Sequence, residues 1–178
     1  IFQHAALEQG LDWRLLAALS RTESGHDPRV TGPAGAAGLM QLLPATAKAF
    51  GAADPFDPAQ NVEAGARHLR WLYDLFTGVD PQDRLAFSLA AYNMGLGHFE
   101  DARAFAAARG LDPDRWSGHV AEILPRLDDA DVACGLEHGQ THGALTLYYV
   151  NRVLGLFRTY SGKSWPTITA AVKINPGS

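Results

Sequence analysis

One glutamate near the start of this chain has the residue type and the position that acid–base catalysis needs. Glu23 follows the segment Trp13–Leu19, whose apolar residues recur three and four positions apart, as in a helix with a buried face. The chain behind it is rich in glycine and proline, as a loop that passes close to a ligand would be. The negative end of the helix dipole and burial both disfavour a charged carboxylate, so we expect a raised pKa for Glu23. Such a carboxyl group can serve as a general acid near neutral pH without a metal.

A structural role for Glu23 is equally compatible with its position. Its carboxylate could cap a backbone amide, or it could pair with Arg21 or Arg29 at the surface. Position alone does not separate these alternatives from catalysis.

Three further polar side chains have the chemistry to bind a sugar. Gln41 lies in the otherwise apolar segment Leu39–Leu43, where a buried amide must bond either the backbone or a polar ligand. Tyr92 and Asn93 end another predicted helix, and their phenol and amide suit sugar hydroxyls and N-acetyl groups. Taken alone, a helix cap by Asn93 and a core position for Tyr92 would be the commoner case.

The histidine and cysteine residues do not indicate a metal or redox site. His138 and His142 have the spacing of two ligands on a helix, but Gly139 and Gly143 argue against a helix there. No further ligand is close in sequence, so we expect neither a metal nor a cofactor. Cys134 is alone and cannot form an internal disulfide.

The amino-acid composition excludes several classes of protein. The 178 residues suffice for one well-packed domain, and 19% charged with 47% apolar residues is the balance of an ordinary globule. The apolar runs are too short to cross a bilayer. A net charge of -4 with scattered basic residues argues against nucleic acid as a partner. The chain begins at Ile1 without an initiator Met, as an excised domain or a mature product would.

Helical periodicity dominates the whole chain, so we expect an all-α domain. Asp12, Asp57-Pro58 and Asp80-Pro81 mark helix starts, and Gly65 inside the longest predicted helix indicates a close helix crossing. We expect a domain over residues 1–160, a long loop over the site at 128–143, and an extended tail at 161–178 that is ordered only if it docks. The predicted helices are 1–8, 13–24, 45–50, one from 58 to before 78, 81–94, 98–109, 116–124 and 144–160.

Four ordered motifs resemble the catalytic domain of the soluble-lytic-transglycosylase type, which is related to goose-type lysozyme. They are Glu23-Ser24 followed by Pro28, then Gly38-Leu39-Met40-Gln41, then Ala91-Tyr92-Asn93-Met94-Gly95, and finally Tyr149-Val150. The resemblance runs from about Trp13 to Tyr160. It is greatest to the membrane-bound lytic murein transglycosylase F subgroup, through Asp12-Trp13-Arg14-Leu15-Leu16 and through Ala91-Tyr92-Asn93-Met94-Gly95 with His98 and Asp101-Ala102-Arg103 after it.

The resemblance implies a lysozyme-like helical fold with a groove for peptidoglycan glycan strands. It implies cleavage between N-acetylmuramic acid and N-acetylglucosamine without water, which leaves a 1,6-anhydromuramyl end. Glu23 would protonate the glycosidic oxygen and then accept the proton of the muramyl C6 hydroxyl. Ordinary glycosidases need a second carboxylate, and none stands out in this chain. Met40, Gln41, Tyr92 and Asn93 would line sugar subsites, Tyr149 would reach the catalytic centre, and Ser24 would support the loop.

The sequence departs from the family pattern at three positions. Gly32-Pro33 stands where the family has Ser-Pro, so a hydroxyl is missing unless Thr31 replaces it. Leu145 stands where the family has Glu, and His142 where it often has Arg. These differences concern the surroundings of the catalytic centre rather than Glu23.

Two other functions are compatible with the motifs. One is a goose-type-lysozyme-like muramidase that delivers water to the sugar, and the other is a peptidoglycan-binding module without catalysis. For the family function, we expect a monomer in the periplasm, associated with the outer membrane in the full-length protein. A fused or associated solute-binding regulatory domain would accompany it.

Overall fold

The computed structural model describes residues 1–171, and every regular element in that range is helical, which confirms the all-α prediction. Among these elements, none is long and apolar enough to cross a bilayer. The helices are α1 (Phe2–Gln9), α2 (Trp13–Glu23), α3 (Pro44–Ala49), α4 (Pro58–Leu75), α5 (Pro81–Met94), α6 (Leu96–Ala107), α7 (Ala121–Ile123), α8 (Ala130–Ala133) and α9 (Gly143–Ser161).

Three helices begin at the aspartate caps that the sequence predicts. The carboxylates of Asp12 and Asp80 each accept the backbone N–H two residues later, both at 3.0 Å. The Asp57 carboxylate accepts the N–H of Gln60 at 2.9 Å. Each bond satisfies a donor in the first turn that has no partner within the helix.

The chain divides into two compact units, which are described separately. The first contains Ile1–Arg70 and the chain from Arg152 onward, and the second contains Trp71–Asn151. In the first unit, the apolar face of α2 is fully buried through Leu15, Leu16 and Leu19. This unit therefore holds the helix that ends at Glu23 in a fixed position.

The described part of the tail docks on the first unit. The backbone N–H of Thr169 donates to the carbonyl oxygen of Gly10 at 2.8 Å, and the guanidinium of Arg70 donates to the Thr169 carbonyl at 2.6 Å. A Cβ on Gly10 would lie only 2.5 Å from that carbonyl oxygen, so glycine permits the close approach. Residues 172–178 of the predicted tail lie outside the described residues.

An aromatic cluster forms the core of the second unit. The rings of Phe76, Phe87 and Phe99 meet edge to face, with centroids between 5.0 and 5.7 Å apart. Trp116 packs beside Phe87 at 6.2 Å, and its backbone N–H donates to Asp83 at 3.1 Å. The cluster joins α5, α6 and the segment that follows them.

The predicted helix at 116–124 is wrong in its first half. Ser117 is extended and Gly118 has φ +77°, so the chain at 116–120 makes a wide turn instead of a regular helix. Regular α-helix begins only at Ala121. Glycine at 118 permits this left-handed backbone, which other residues rarely adopt.

The predicted loop at 128–143 is also partly wrong, because it contains α8. Asp129 caps this short helix by accepting the backbone N–H of Asp131 at 2.9 Å. A 3-10 turn at Leu124–Asp128 precedes it. The remaining irregular part of the loop is therefore confined to residues 134–142.

Candidate active site

Glu23 is the last residue of α2, and its side chain is half-buried. The next residue, Ser24, is the C-cap of the helix. Its hydroxyl lies 3.0 Å from the carbonyl oxygen of Leu39 and 3.2 Å from that of Ser20. Ser24 thus ties the helix end that carries Glu23 to the Leu39 turn.

Backbone hydrogen bonds fix the loop that follows Glu23. Ala37 forms isolated antiparallel bridges with Thr31 on one side and Leu42 on the other. The N–H of Gly38 donates to the carbonyl of Val30 at 3.0 Å. The loop is therefore a folded structure with a defined shape, as its prolines and glycines predict.

Gln41 uses its side-chain amide to brace this loop. Its Nε2 group donates to the carbonyl oxygens of Val30 at 3.0 Å and Gly38 at 2.9 Å. Its backbone has φ +46°, a left-handed conformation that is uncommon outside glycine. The sequence left open whether this amide bonds the backbone or a polar ligand, and in the structure it bonds the backbone.

Gly32, one of the departures from the family pattern, is explained by Gln41. A Cβ at position 32 would lie 2.3 Å from Gln41 Oε1, so a serine there would collide with the bracing amide in its present position. Thr31 is exposed beside it. The glycine at 32 and the amide orientation at 41 are therefore coupled.

Met40 lies in the core beneath the same turn, with no exposed surface. A Cβ on Gly65 of α4 would lie 2.8–2.9 Å from the Met40 side chain. We predicted a close helix crossing at Gly65, and the close neighbour is instead the side chain of this turn. Met40 thus supports the turn from below.

The sequence analysis missed Asn61, a fully buried residue that holds the turn. Its Oδ1 accepts the backbone N–H of Met40 at 2.7 Å, and its Nδ2 donates to the carbonyl oxygens of Ala37 at 3.0 Å and Pro55 at 2.9 Å. Gly38 packs so closely here that a Cβ would lie 2.3 Å from the Pro55 oxygen. The available signal was an amide beside Val62 on the apolar face of α4.

His26, three residues after Glu23, has a pKa that its surroundings lower. His26 Nδ1 lies 3.2 Å from the Ser20 hydroxyl. Burial, and then the positive charge of Arg21, lower the pKa of His26 below its ordinary value. Arg21 itself donates to the carbonyl of Gly25 at 2.9 Å, which fixes the first residue of the loop.

Tyr92 and Asn93 lie in the last turn of α5 in the second unit. Gly95, with φ +90°, is the C-cap, so the structure does not use Asn93 as the cap. Tyr92 is half-buried and Asn93 is exposed. Asn93 Oδ1 accepts a hydrogen bond from the hydroxyl of Thr146 at 2.9 Å.

Tyr149 lies on α9 with only 6% of its surface exposed, next to the fully buried Val150. It is therefore held by packing. Tyr149 and Asn93 belong to the second unit, whereas Glu23 and Gln41 belong to the first.

A cavity of about 370 Å³ lies in the second unit beside Asn93. Met94 and Leu145 are its apolar lining residues. Two departures from the family pattern, Leu145 and His142, thus share this cavity. Its polar lining residues are Asn93, His98, Gln140, Thr141, His142 and Thr146.

A buried carboxylate holds the loop that forms one side of this cavity. Asp101 of α6 accepts the backbone N–H groups of Glu137 at 3.3 Å and His138 at 2.8 Å, and it also contacts the His138 ring at 3.3 Å. A Cβ on Gly97 would lie 2.4 Å from that ring, so the ring packs directly on the α6 backbone.

The same three side chains are also the potential metal ligands within the described range. The ligand atoms of Asp101, Glu137 and His138 lie within 4.8 Å of one another. The Asp101 oxygens also accept two backbone amides, so this carboxylate attaches the loop to α6. The sequence could not reveal it, since Asp101 is 36 residues from Glu137.

Comparison with known proteins supplies the family. The chain is 38% identical over 167 residues to "Membrane-bound lytic murein transglycosylase F" of Stutzerimonas stutzeri, covering 93% of this chain and 34% of that protein. It resembles the 70 kDa soluble lytic transglycosylase of Escherichia coli with a TM-score of 0.63 at 25% identity, covering 92% of this chain and 24% of that one.

A complex of the 70 kDa soluble lytic transglycosylase with bulgecin A is similar as well, with a TM-score of 0.59 at 26% identity, covering 96% of this chain and 25% of that one. The chain spans about a third of the length of the curated relatives that it matches. Residues 1–113, well over half of the chain, match the sequence model of the Transglycosylase SLT domain. The chain therefore belongs to the Transglycosylase SLT domain family.

Proposed function

We propose that this chain is the catalytic domain of a peptidoglycan lytic transglycosylase in which Glu23 acts first as acid and then as base. The observation that carries the proposal is the placement of Glu23. It ends a buried helix in a member of this family, and hydrogen bonds from Ser24 and Gln41 brace the turn and loop that follow it.

The proposed reaction needs one carboxyl group and no water. Glu23 donates its proton to the glycosidic oxygen, and the bond from that oxygen to the muramyl C1 breaks. The C6 hydroxyl oxygen of the same sugar bonds to C1, and its proton passes to the Glu23 carboxylate. The products are a free hydroxyl on N-acetylglucosamine and a 1,6-anhydromuramyl end, and Glu23 is again protonated.

The remaining site residues are proposed to serve the same reaction. Tyr92, Asn93 and Tyr149 would contact the glycan strand or the catalytic centre. Gln41 would act through the loop that it braces, since both of its Nε2 contacts are to the backbone. Met40 and Ser24 would support that arrangement from the core and from the helix end, and Met40 would contact a sugar only if the turn opens.

The setting of the whole protein is proposed from its relatives. The Stutzerimonas stutzeri relative is named a membrane-bound lytic murein transglycosylase. By this relationship we propose a periplasmic enzyme associated with the outer membrane, monomeric, with residues 1–160 as the catalytic domain and 161–178 as a tail. A solute-binding regulatory domain would lie outside this chain.

The direct test replaces Glu23 with glutamine. Glu23→Gln removes the proton donor at little cost to shape, so release of muropeptides from purified sacculi should fall about 100- to 10,000-fold. Glu122→Gln, at an exposed helical position, is the matched control and should retain activity. Equal release by wild type and Glu23→Gln, with unchanged melting temperatures, would show that the domain does not use Glu23.

The pH dependence of the rate supplies a second readout. The helix-end position predicts that the acid limb of the profile reports a carboxyl group titrating above the ordinary value of about 4.3. A profile without a raised carboxyl pKa would contradict the acid role.

A further inference from the structure

A buried carboxylate and two exposed side chains meet where the loop at residues 134–142 packs on α6. Asp101 of α6 has only 8% of its surface exposed, and Glu137 and His138 belong to the loop. One potential ligand atom from each side chain lies within 4.8 Å of the other two. The sequence showed no further ligand close to His138, and the fold supplies Asp101 from 37 positions away.

The distance between His138 and Asp101 is that of two ligands on one ion. His138 Nδ1 lies 3.3 Å from Asp101 Oδ2. A charge-assisted hydrogen bond between such groups is usually shorter, about 2.7–2.9 Å. Two atoms that bind the same tetrahedral Zn²⁺ at about 2.0–2.2 Å lie about 3.3–3.5 Å apart. The observed separation therefore matches neighbouring zinc ligands.

The packing of the loop on α6 orients both of these ligands. A Cβ on Gly97 would lie 2.5 Å from His138 Nε2, so this edge of the ring packs on the helix and Nδ1 is the nitrogen at Asp101. The Asp101 carboxylate accepts the backbone N–H groups of Glu137 and His138. A carboxylate offers about four lone-pair sites, so two amides leave capacity for a metal. Amides that bond a ligating carboxylate fix its orientation.

His98, one turn before Asp101 on α6, carries an unsatisfied nitrogen beside His138. Its Nδ1 is buried and has no hydrogen-bond partner among the described residues. Buried polar atoms are rarely left in this state, so the nitrogen points to a missing ligand. The ring centroids of His98 and His138 are 6.0 Å apart. Two imidazoles on one tetrahedral Zn²⁺ have centroids about 5 Å apart, so an approach of about 1 Å would place both rings on the same ion.

We propose that Asp101, Glu137 and His138 bind one Zn²⁺, with His98 as its fourth ligand. Imidazole nitrogen combined with carboxylate oxygen suits Zn²⁺, whereas Mg²⁺ and Ca²⁺ prefer oxygen ligands alone. The ion would fasten the loop at residues 134–142 to α6 and so fix one side of the cavity in the second unit. This structural site is independent of the proposed function, because it requires neither a glycan nor Glu23.

Titration calorimetry with zinc chloride, on the full chain after chelator treatment, tests the site. Wild type should bind one Zn²⁺ per chain. His138→Gln and Glu137→Gln, both at exposed positions, should weaken binding at least about 10-fold, since even changes to outer-shell partners have effects of this size. His98→Gln should also weaken it at least about 10-fold.

A surface pair with the same residue types provides the matched control. His4 Nε2 lies 3.3 Å from Glu8 Oε1 on α1, and within the described residues no third ligand joins this pair. His4→Gln should therefore keep the wild-type affinity for zinc. Cys134→Ser should keep it as well, although thiolates bind zinc, because Cys134 is outside the cluster. Loss of zinc binding in either control would overturn the assignment.

Thermal unfolding supplies a second readout, because an ion that binds the folded chain raises its melting temperature. Saturating Zn²⁺ should raise the melting temperature of wild type and of His4→Gln, and should leave that of His138→Gln unchanged. Folded wild type that binds no zinc, or wild-type affinity in His138→Gln or Glu137→Gln, would overturn the proposal. Wild-type affinity in His98→Gln would overturn the four-ligand site.

Discussion

Two asparagines, one in each unit, use the same side chain for opposite purposes. Asn61 is fully buried, and both ends of its amide bond the backbone of the turn that contains Met40. Asn93 is exposed, and a single hydroxyl, that of Thr146, holds its oxygen. The buried amide braces the backbone, whereas the exposed amide lies beside the cavity of the second unit.

The comparison shows that residues of the family motifs can have different structural surroundings. Gln41 belongs to the motif that carries the family resemblance, yet its amide bonds the backbone as Asn61 does. Asn93 belongs to another motif and remains accessible. We therefore expect substitutions in the Gln41 turn to act on stability first, and substitutions at Asn93 to act on glycan binding.

The largest effect on stability is expected at Asn61. Asn61→Ala leaves one N–H and two carbonyl oxygens of the backbone without this partner, so the free energy of unfolding should fall by about 4 kcal/mol. Asn93→Ala removes the nearer acceptor of the Thr146 hydroxyl but leaves its 3.3 Å contact with the His142 carbonyl, so it should cost less, about 1–2 kcal/mol. Urea denaturation of the two variants measures both values. Similar losses at the two positions would break the distinction between them.

The stability of the domain should also depend on pH, because the structure buries a histidine side chain, that of His68. Burial lowers the pKa of His68 on α4 to about 4, from an ordinary value of 6.5. Between these values the unfolded chain binds a proton that the folded chain does not. Stability should therefore fall by roughly 3 kcal/mol as pH drops from 6.5 to about 4, and this contribution should be constant below that range.

The control for this pH effect is an exposed histidine. His68→Gln should abolish this part of the pH dependence in urea denaturation, and His142→Gln, at an exposed position, should leave it in place. A pH dependence that survives His68→Gln would assign the effect to another group.

A smaller effect tests the coupling between Gly32 and Gln41. Gly32→Ser would place a Cβ 2.3 Å from Gln41 Oε1, so the amide must move and its bracing bonds weaken. We expect a loss of about 1–2 kcal/mol, measured by urea denaturation. In a Gln41→Ala background the loss should nearly vanish.

Gly78→Ser is the matched control for this substitution, because a Cβ there would meet nothing within 4 Å. It should be close to neutral. If Gly32→Ser costs the same with and without Gln41, the two positions are not coupled.

The sequence predicted most of the helices because their signals are local. The caps at Asp12 and Asp80 and the periodic apolar faces between them require only neighbouring residues. The helix predicted at 116–124 is wrong in its first half because a left-handed Gly118 interrupts it. Glycine within an apolar segment is compatible with either outcome, and only packing decides between them.

The residues that support the candidate site could not be predicted from local sequence patterns. Asn61 bonds a residue 21 positions away, and Thr146 bonds one 53 positions away. Contacts over such separations cannot be recognised from apolar periodicity or from helix-capping residues. Glu23 could be proposed from the sequence because a carboxylate at the end of an apolar helix is unusual in itself, although its position also allows a structural role.

The most direct test of the central claim, that Glu23 cleaves the glycan without water, is to follow whether water enters the product. Purified sacculi are digested by the chain in water enriched in the heavy oxygen isotope, and the muropeptides are weighed by mass spectrometry. We predict anhydromuramyl ends that are lighter by one water than hydrolysed ends and carry no heavy oxygen, and these ends should be absent with Glu23→Gln. Reducing muramyl ends that contain the heavy isotope would contradict transglycosylation and identify a hydrolase.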